Sequence, residues 1–275
     1  MGFVITVNKI EEKPNNFEGI VIGREEVQLE GSLAVAETRI YKPTELQEGE
    51  EEVEEVMEEE VEDELDEDFI EVFPDEELET GNLIPGGDIV NYEKYILKHS
   101  QKYPIVGVIN QREFKEILRV FSFEVYINNS YAISYSKHKG KFAQSAFKRL
   151  KDTTAFKSVP YELDLLDALE NIINSDSGIT IQAGWFANLG LANLDSVLLR
   201  GEDVNQAADW KKFKRTAGAS LSNIELLVED SSFPNNRIAI SLSKRGILYC
   251  KRNISPEKSL ELTDRIFKIV LGEEE

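Results

Sequence analysis

Two histidines, His99 and His138, and a single cysteine, Cys250, are all the chain offers for imidazole or thiol chemistry. A nucleophilic triad needs a Ser or Cys, a His and an orienting acid to meet in space, and no G-x-S-x-G elbow announces one. Lys251 and Arg252 would lower the pKa of an exposed Cys250, but the alternation along GILYCKR turns the thiol inward as a small hydrophobe. Three Cys and His in total fall short of a four-ligand zinc site. Gly140-Lys141 has Tyr135 where a phosphate-binding loop needs its earlier glycine. Glu162, Asp164, Asp167 and Glu170 have the spacing of a magnesium-dependent nuclease's acids. The same spacing describes the wet face of a helix whose dry face is Leu163, Leu166 and Leu169, which is the simpler reading. These residues point to no catalytic group, no metal and no cofactor.

Basic residues gather in two places. Lys141, Lys148 and Lys151 lie opposite the apolar arc of a helix expected over 141–152, with Arg149 at its edge and Lys137 and Lys139 just before it. Lys211, Lys212, Lys214 and Arg215 crowd a second helix expected from a cap at Asp203 to Gly218, interleaved with Trp210 and Phe213. Either cluster would position phosphates without reading sequence, which makes nucleic acid a candidate partner. Lysine-rich helix faces are also common on soluble proteins.

Acidic residues are concentrated in one segment. The chain has 52 acids against 31 bases, and 21 of those acids lie in residues 45–79, which contain no Lys or Arg. The remainder is electrically neutral, 31 against 31. Like charges at helical spacing and the lack of a wide apolar face predict disorder for this segment. Near its end, Phe69, Ile70, Val72 and Phe73 form an apolar island that reads either as a partner-docking motif or as a short edge strand stopped by Pro74.

Around these features, the pattern predicts short strands over residues 3–42 and helices over 89–102 and 111–120. A hairpin over 123–135 turns at Asn128-Asn129, and a second over 237–252 turns at Lys244-Arg245-Gly246. Further helices are expected over 160–174 and after Ser255-Pro256, ending at Gly272. The expected organisation is a β-rich segment 1–44, an acidic disordered linker 45–80 and a body 81–275. The expected fold class is α+β, antiparallel hairpins with packed amphipathic helices. One cysteine, no apolar leader and no run long enough for a membrane span predict a cytoplasmic protein. The function expected is a non-enzymatic interaction or regulatory protein with a protein partner, its acidic segment serving as tether, mask or docking tail. A nucleic-acid-binding protein and a metal-dependent hydrolase or nuclease are the alternatives.

Overall fold

The computed structural model describes residues 3–14, 20–43, 91–109, 111–136, 140–175, 177–190 and 193–272. The acidic segment, with Phe69, Ile70, Val72 and Phe73, lies outside them, as do Lys137, His138 and Lys139. Twelve strands form one sheet, and every pairing in it is antiparallel. In chain order they are β1 (Phe3–Glu12), β2 (Val21–Leu29), β3 (Ser32–Tyr41), β4 (Glu93–Ile109), β5 (Arg112–Ile127) and β6 (Tyr131–Ser136). Then come β7 (Lys157–Pro160), β8 (Ile179–Ala187), β9 (Val197–Arg200), β10 (Ser220–Glu229), β11 (Arg237–Ser243) and β12 (Ile247–Cys250). Across the sheet they run β2-β3-β4-β5-β6-β1-β12-β11-β10-β8-β9, with β7 beside β1. The described helices are α1 (Gly140–Thr153), α2 (Leu165–Asn174), α3 (Ala208–Lys214) and α4 (Pro256–Leu271).

The fold is therefore mainly β, which corrects the α+β expectation. Strand makes up 50% against 26% helix, so the sheet is the frame and the helices are its cover. The error lies in two stretches. Residues 89–102 and 111–120 were expected to be helical, and they belong to β4 and β5, which pair from Glu93↔Ile127 to Ile109↔Arg112. Tyr95, Leu97 and His99 are fully buried at alternate positions, and so are Phe121, Phe123 and Val125. Pro104 also forbids a helix through this region, and a β-bulge beside it absorbs the missing donor. Strands this long are rare enough that length alone argued for helix.

Several other elements match their local signals. The 123–135 and 237–252 hairpins form as β5–β6 and β11–β12. Ser255 caps α4 by accepting from Lys258 N, with Pro256 in the first turn and Gly272 left-handed at φ 67° past the end. Asp203 is no helix cap. It is left-handed, makes no side-chain cap bond, and leads into a 3-10 turn before the seven-residue α3.

β1 joins the two halves of the sheet. One edge pairs with β6, and the other pairs first with β12 and then with β7. Its odd residues Phe3, Ile5 and Val7 enter the larger core, with Leu226 and Ile240 of the sheet, Leu169 of α2 and Ile266 of α4. Trp210 and Phe213 of α3 join this same core. A second core lies on the opposite face, where Leu97, Phe123 and Val125 meet Phe147 and Leu150 of α1. So α2, α3 and α4 cover one face of one half, and α1 covers the other face of the other half.

Residues 44–90 connect β3 to β4, two strands that already pair directly at Tyr41↔Ile96. The acidic segment is thus an insertion in a hairpin connection, and the sheet register does not depend on it.

Candidate functional site

The face of β10, β11 and β12 opposite the larger core is met by the start of α1 at Ile247. Its residues are polar and buried: Asn223 and Glu225 on β10, and Ser241 and Ser243 on β11. They stand in register, Asn223 across from Ser243 and Glu225 across from Ser241. The local reason is plain alternation, since Ile224 and Leu226 point into the core while Asn223 and Glu225 point away from it. Arg200 of β9 reaches over Ala183 to hold Glu225 at 2.8 Å. Trp185 and Tyr249 flank the strip, Trp185 across from Asn223 and Tyr249 across from both Ser241 and Val4. Burial, and then the neighbouring Cys250, hold the Tyr249 phenol above its ordinary value.

The strip continues onto β1 and β6 and ends under the first residues of α1. Thr6 and Ser134 are cross-strand partners, and both are completely buried, as is Asn8. A Cβ placed on Gly140 would lie 3.2 Å from Thr6 Oγ1 and 3.2 Å from Val4, so α1 begins directly on top of Thr6. Thr6 Oγ1, Ser134 Oγ, both amide atoms of Asn8 and Gln144 Nε2 have no hydrogen-bond partner among the described residues. Asn223 Oδ1 and Ser158 Oγ share that state. Nine-tenths or more of buried polar groups are ordinarily paired, so a row of exceptions on one sheet face is a feature of the site.

The opposite end of α1 holds a buried basic network on this face. Arg149 donates to Glu25 Oε2 at 3.0 Å, Thr38 Oγ1 at 3.1 Å, His99 Nδ1 at 3.1 Å and the Ser100 carbonyl at 2.6 Å. A guanidinium only donates, so Nδ1 of His99 carries the lone pair and its Nε2–H points to Gln101 Oε1. Burial, and then the positive charge of Arg149, lower the His99 pKa to about 4. Arg149 was expected among the phosphate-contacting residues. It is buried and bonded to β2, β3 and β4 inside the protein.

The other basic residues divide between the two faces. Lys141 and Lys148 are exposed on α1, and Lys151 is half-buried and pairs with Glu11 at 3.3 Å. Lys211, Lys212, Lys214 and Arg215 are exposed at α3, with Lys214 paired to Glu170 at 2.8 Å. The two clusters sit on opposite faces and toward opposite ends of the sheet, so they form no single surface. The acidic array is dispersed too: Asp164 caps α2 through Leu166 N, and Glu170 holds Lys214. No group of three His, Cys, Asp or Glu among the described residues is placed to hold a metal ion. Cys250 points into the larger core, where burial raises its pKa to about 11.

Sequence reasoning passed over Thr6, Asn8, Ser134, Asn223 and Glu225. Their signal was present as polar residues at alternate positions of strands, but alternation reads as a solvated face, and only the fold shows that this face is buried. No described helix is long and apolar enough to cross a membrane. No family model matches the chain. One curated protein to which it is similar is the CRISPR-associated endonuclease Cas9 of Staphylococcus aureus, 25% identical over 180 residues. That match takes in 64% of this chain and 16% of the length of that protein.

Proposed function

We propose that this is a non-enzymatic interaction or regulatory protein, whose contact surface is the polar strip and whose acidic segment acts as tether, mask or docking tail. The observation that carries the reading is the composition of the strip. It has hydroxyls, amides, two aromatics and one ion pair, and several of its buried polar atoms, among them Thr6 Oγ1, Ser134 Oγ and Asn223 Oδ1, are left unmatched, as in a surface completed by a partner. Among the described residues, the groups best suited to nucleophilic or acid–base work are withdrawn from it, Cys250 into the core and His99 beneath α1. The insertion of residues 44–90 in a hairpin connection supports the second half of the reading, because such a segment can change length or partner without disturbing the register.

A photo-crosslinking residue in place of Tyr249 should give discrete adducts with a partner protein in cells. The same residue in place of Ile173, exposed on α2, should not. Metal-dependent cleavage of DNA or RNA by the purified chain, abolished in Glu225→Gln, would overturn the reading in favour of a nuclease.

A further inference from the structure

We propose that the cavity between α4 and the β5–β6 turn binds a small zwitterion of the α-amino acid class, one with an aliphatic side chain. The cavity lies on the larger-core face of the sheet, away from the polar strip, and its role is separate from the one proposed for that strip.

The room comes first. The cavity measures about 220 Å³. Pockets for drug-sized ligands run to roughly 300–1,000 Å³, so this one suits a smaller molecule. Val7, Ile133, Phe267 and Leu271 give it apolar walls. Tyr131 completes an aromatic side that is held firmly, because Tyr131 packs on Tyr161 at 6.0 Å and Tyr161 meets Phe267 edge-on at 5.5 Å. Asn91 and Lys268 also line the cavity and both are exposed, so it opens to solvent.

The charges come second. Asp264 and Lys268 are the two charged residues of the lining, and neither forms a salt bridge among the described residues. Tyr92 donates to Asp264 Oδ1 at 2.7 Å, while Oδ2 has no partner among the described residues. Burial raises the Asp264 pKa, against the Tyr92 hydrogen bond and the charge of Lys268. An ammonium group beside the carboxylate would offset that desolvation. Lys268 stands one helical turn further along α4, roughly 6 Å along its axis, on the same side. Asn128 spends its Oδ1 on Ser130 N and Tyr131 N, which leaves its amide N–H groups for another acceptor.

The chemistry selects the ligand. A simple cation would be opposed by Lys268, and a simple anion by Asp264. A molecule with an ammonium and a carboxylate on one carbon answers both charges, and Asn128 adds a donor for the carboxylate. The apolar walls then take its side chain.

The test is isothermal calorimetry of the full chain with three matched probes. These are leucine, isoamylamine, which lacks the carboxylate, and isocaproate, which lacks the ammonium. Leucine should bind, and each of the other two should bind at least tenfold more weakly. Asp264→Asn keeps an acceptor for Tyr92 and should lose tenfold or more for leucine while binding isocaproate no more weakly. Lys268→Met changes an exposed position and should bring leucine level with isoamylamine. Lys148→Met, on the other face of the sheet, should leave leucine binding unchanged. Isoamylamine or isocaproate binding the unaltered chain as tightly as leucine would mean that only one charge is read, which sinks the proposal. Absence of leucine binding, or leucine binding indifferent to both Asp264→Asn and Lys268→Met, overturns it as well.

Discussion

The two ends of α1 differ in how completely their polar groups are used. At the C-terminal end, Thr153 Oγ1 donates to the Arg149 carbonyl at 2.6 Å and Thr154 Oγ1 to the Leu150 carbonyl at 2.7 Å. Lys157 donates to the carbonyls of Lys151 and Thr154, and Arg149 knits β2, β3 and β4 together from below. Gly23 allows this end to sit tightly on β2, since a Cβ there would meet Thr153 Oγ1 at 2.5 Å. At the N-terminal end, the fully buried Thr6, Asn8 and Ser134 have unused hydrogen-bonding atoms. The same helix is therefore fastened at one end and left with spare capacity at the other. A satisfied buried network holds structure, whereas an unsatisfied one costs stability.

The largest effect should come from cutting the fastened end. Arg149→Met removes the guanidinium from Thr38, His99 and the Ser100 carbonyl and leaves them buried without it, at a cost of about 3–4 kcal/mol. Urea unfolding monitored by circular dichroism measures this. A loss below about 1 kcal/mol would mean that the network contributes little, and the contrast between the ends would collapse.

Acid should probe the same end. His99 takes up a proton near its ordinary value of 6.5 when unfolded but only at about 4 when folded. Above 6.5 both states are neutral, and between 6.5 and 4 only the unfolded state binds the proton. Stability should therefore fall as pH falls through that window, by about 3 kcal/mol in full. In His99→Gln that part of the decline should vanish, which denaturant melts at a series of pH values would reveal. An identical pH dependence in both proteins would show that carboxylates alone carry it.

A matched pair sharpens the comparison further. Thr38→Val removes a hydroxyl that meets both His99 and Arg149, and should cost about 2 kcal/mol. Thr6→Val removes a buried hydroxyl with no partner and should be neutral or slightly stabilising. Equal losses in the two variants would mean that the start of α1 is as well satisfied as its end.

The smallest expected change is at Gly140→Ala, where the new methyl would press on Thr6 Oγ1 and Val4 at 3.2 Å. Stability should move by less than about 1 kcal/mol in thermal melts. A larger loss would mean that the start of α1 is packed on the sheet as tightly as its end.

The sequence by itself determined whatever depends on neighbours along the chain. Ser255, Pro256 and Gly272 mark α4 because a cap, a ring with fixed φ and a left-handed residue act within one turn. Asn128-Asn129 and Lys244-Arg245-Gly246 mark their hairpins for the same kind of reason. The neutrality of the body, and the confinement of the excess acid to residues 45–79, follow from counting alone.

The tertiary structure decided everything that depends on which face is covered. β4 and β5 became strands because Tyr95, Leu97, Phe121 and Phe123 could all be buried beneath α1, an outcome that depends on a helix more than ten residues away. Arg149 went inward because His99, Thr38 and Ser100 converge on it from separate strands, which no spacing along α1 reveals. The basic residues of α1 and α3 were divided between two faces by the path of the sheet. Thr6 and Ser134 became a candidate site because the fold buried a face that alternation assigns to solvent. Periodicity specifies two sides of a strand, but only packing determines which side meets water.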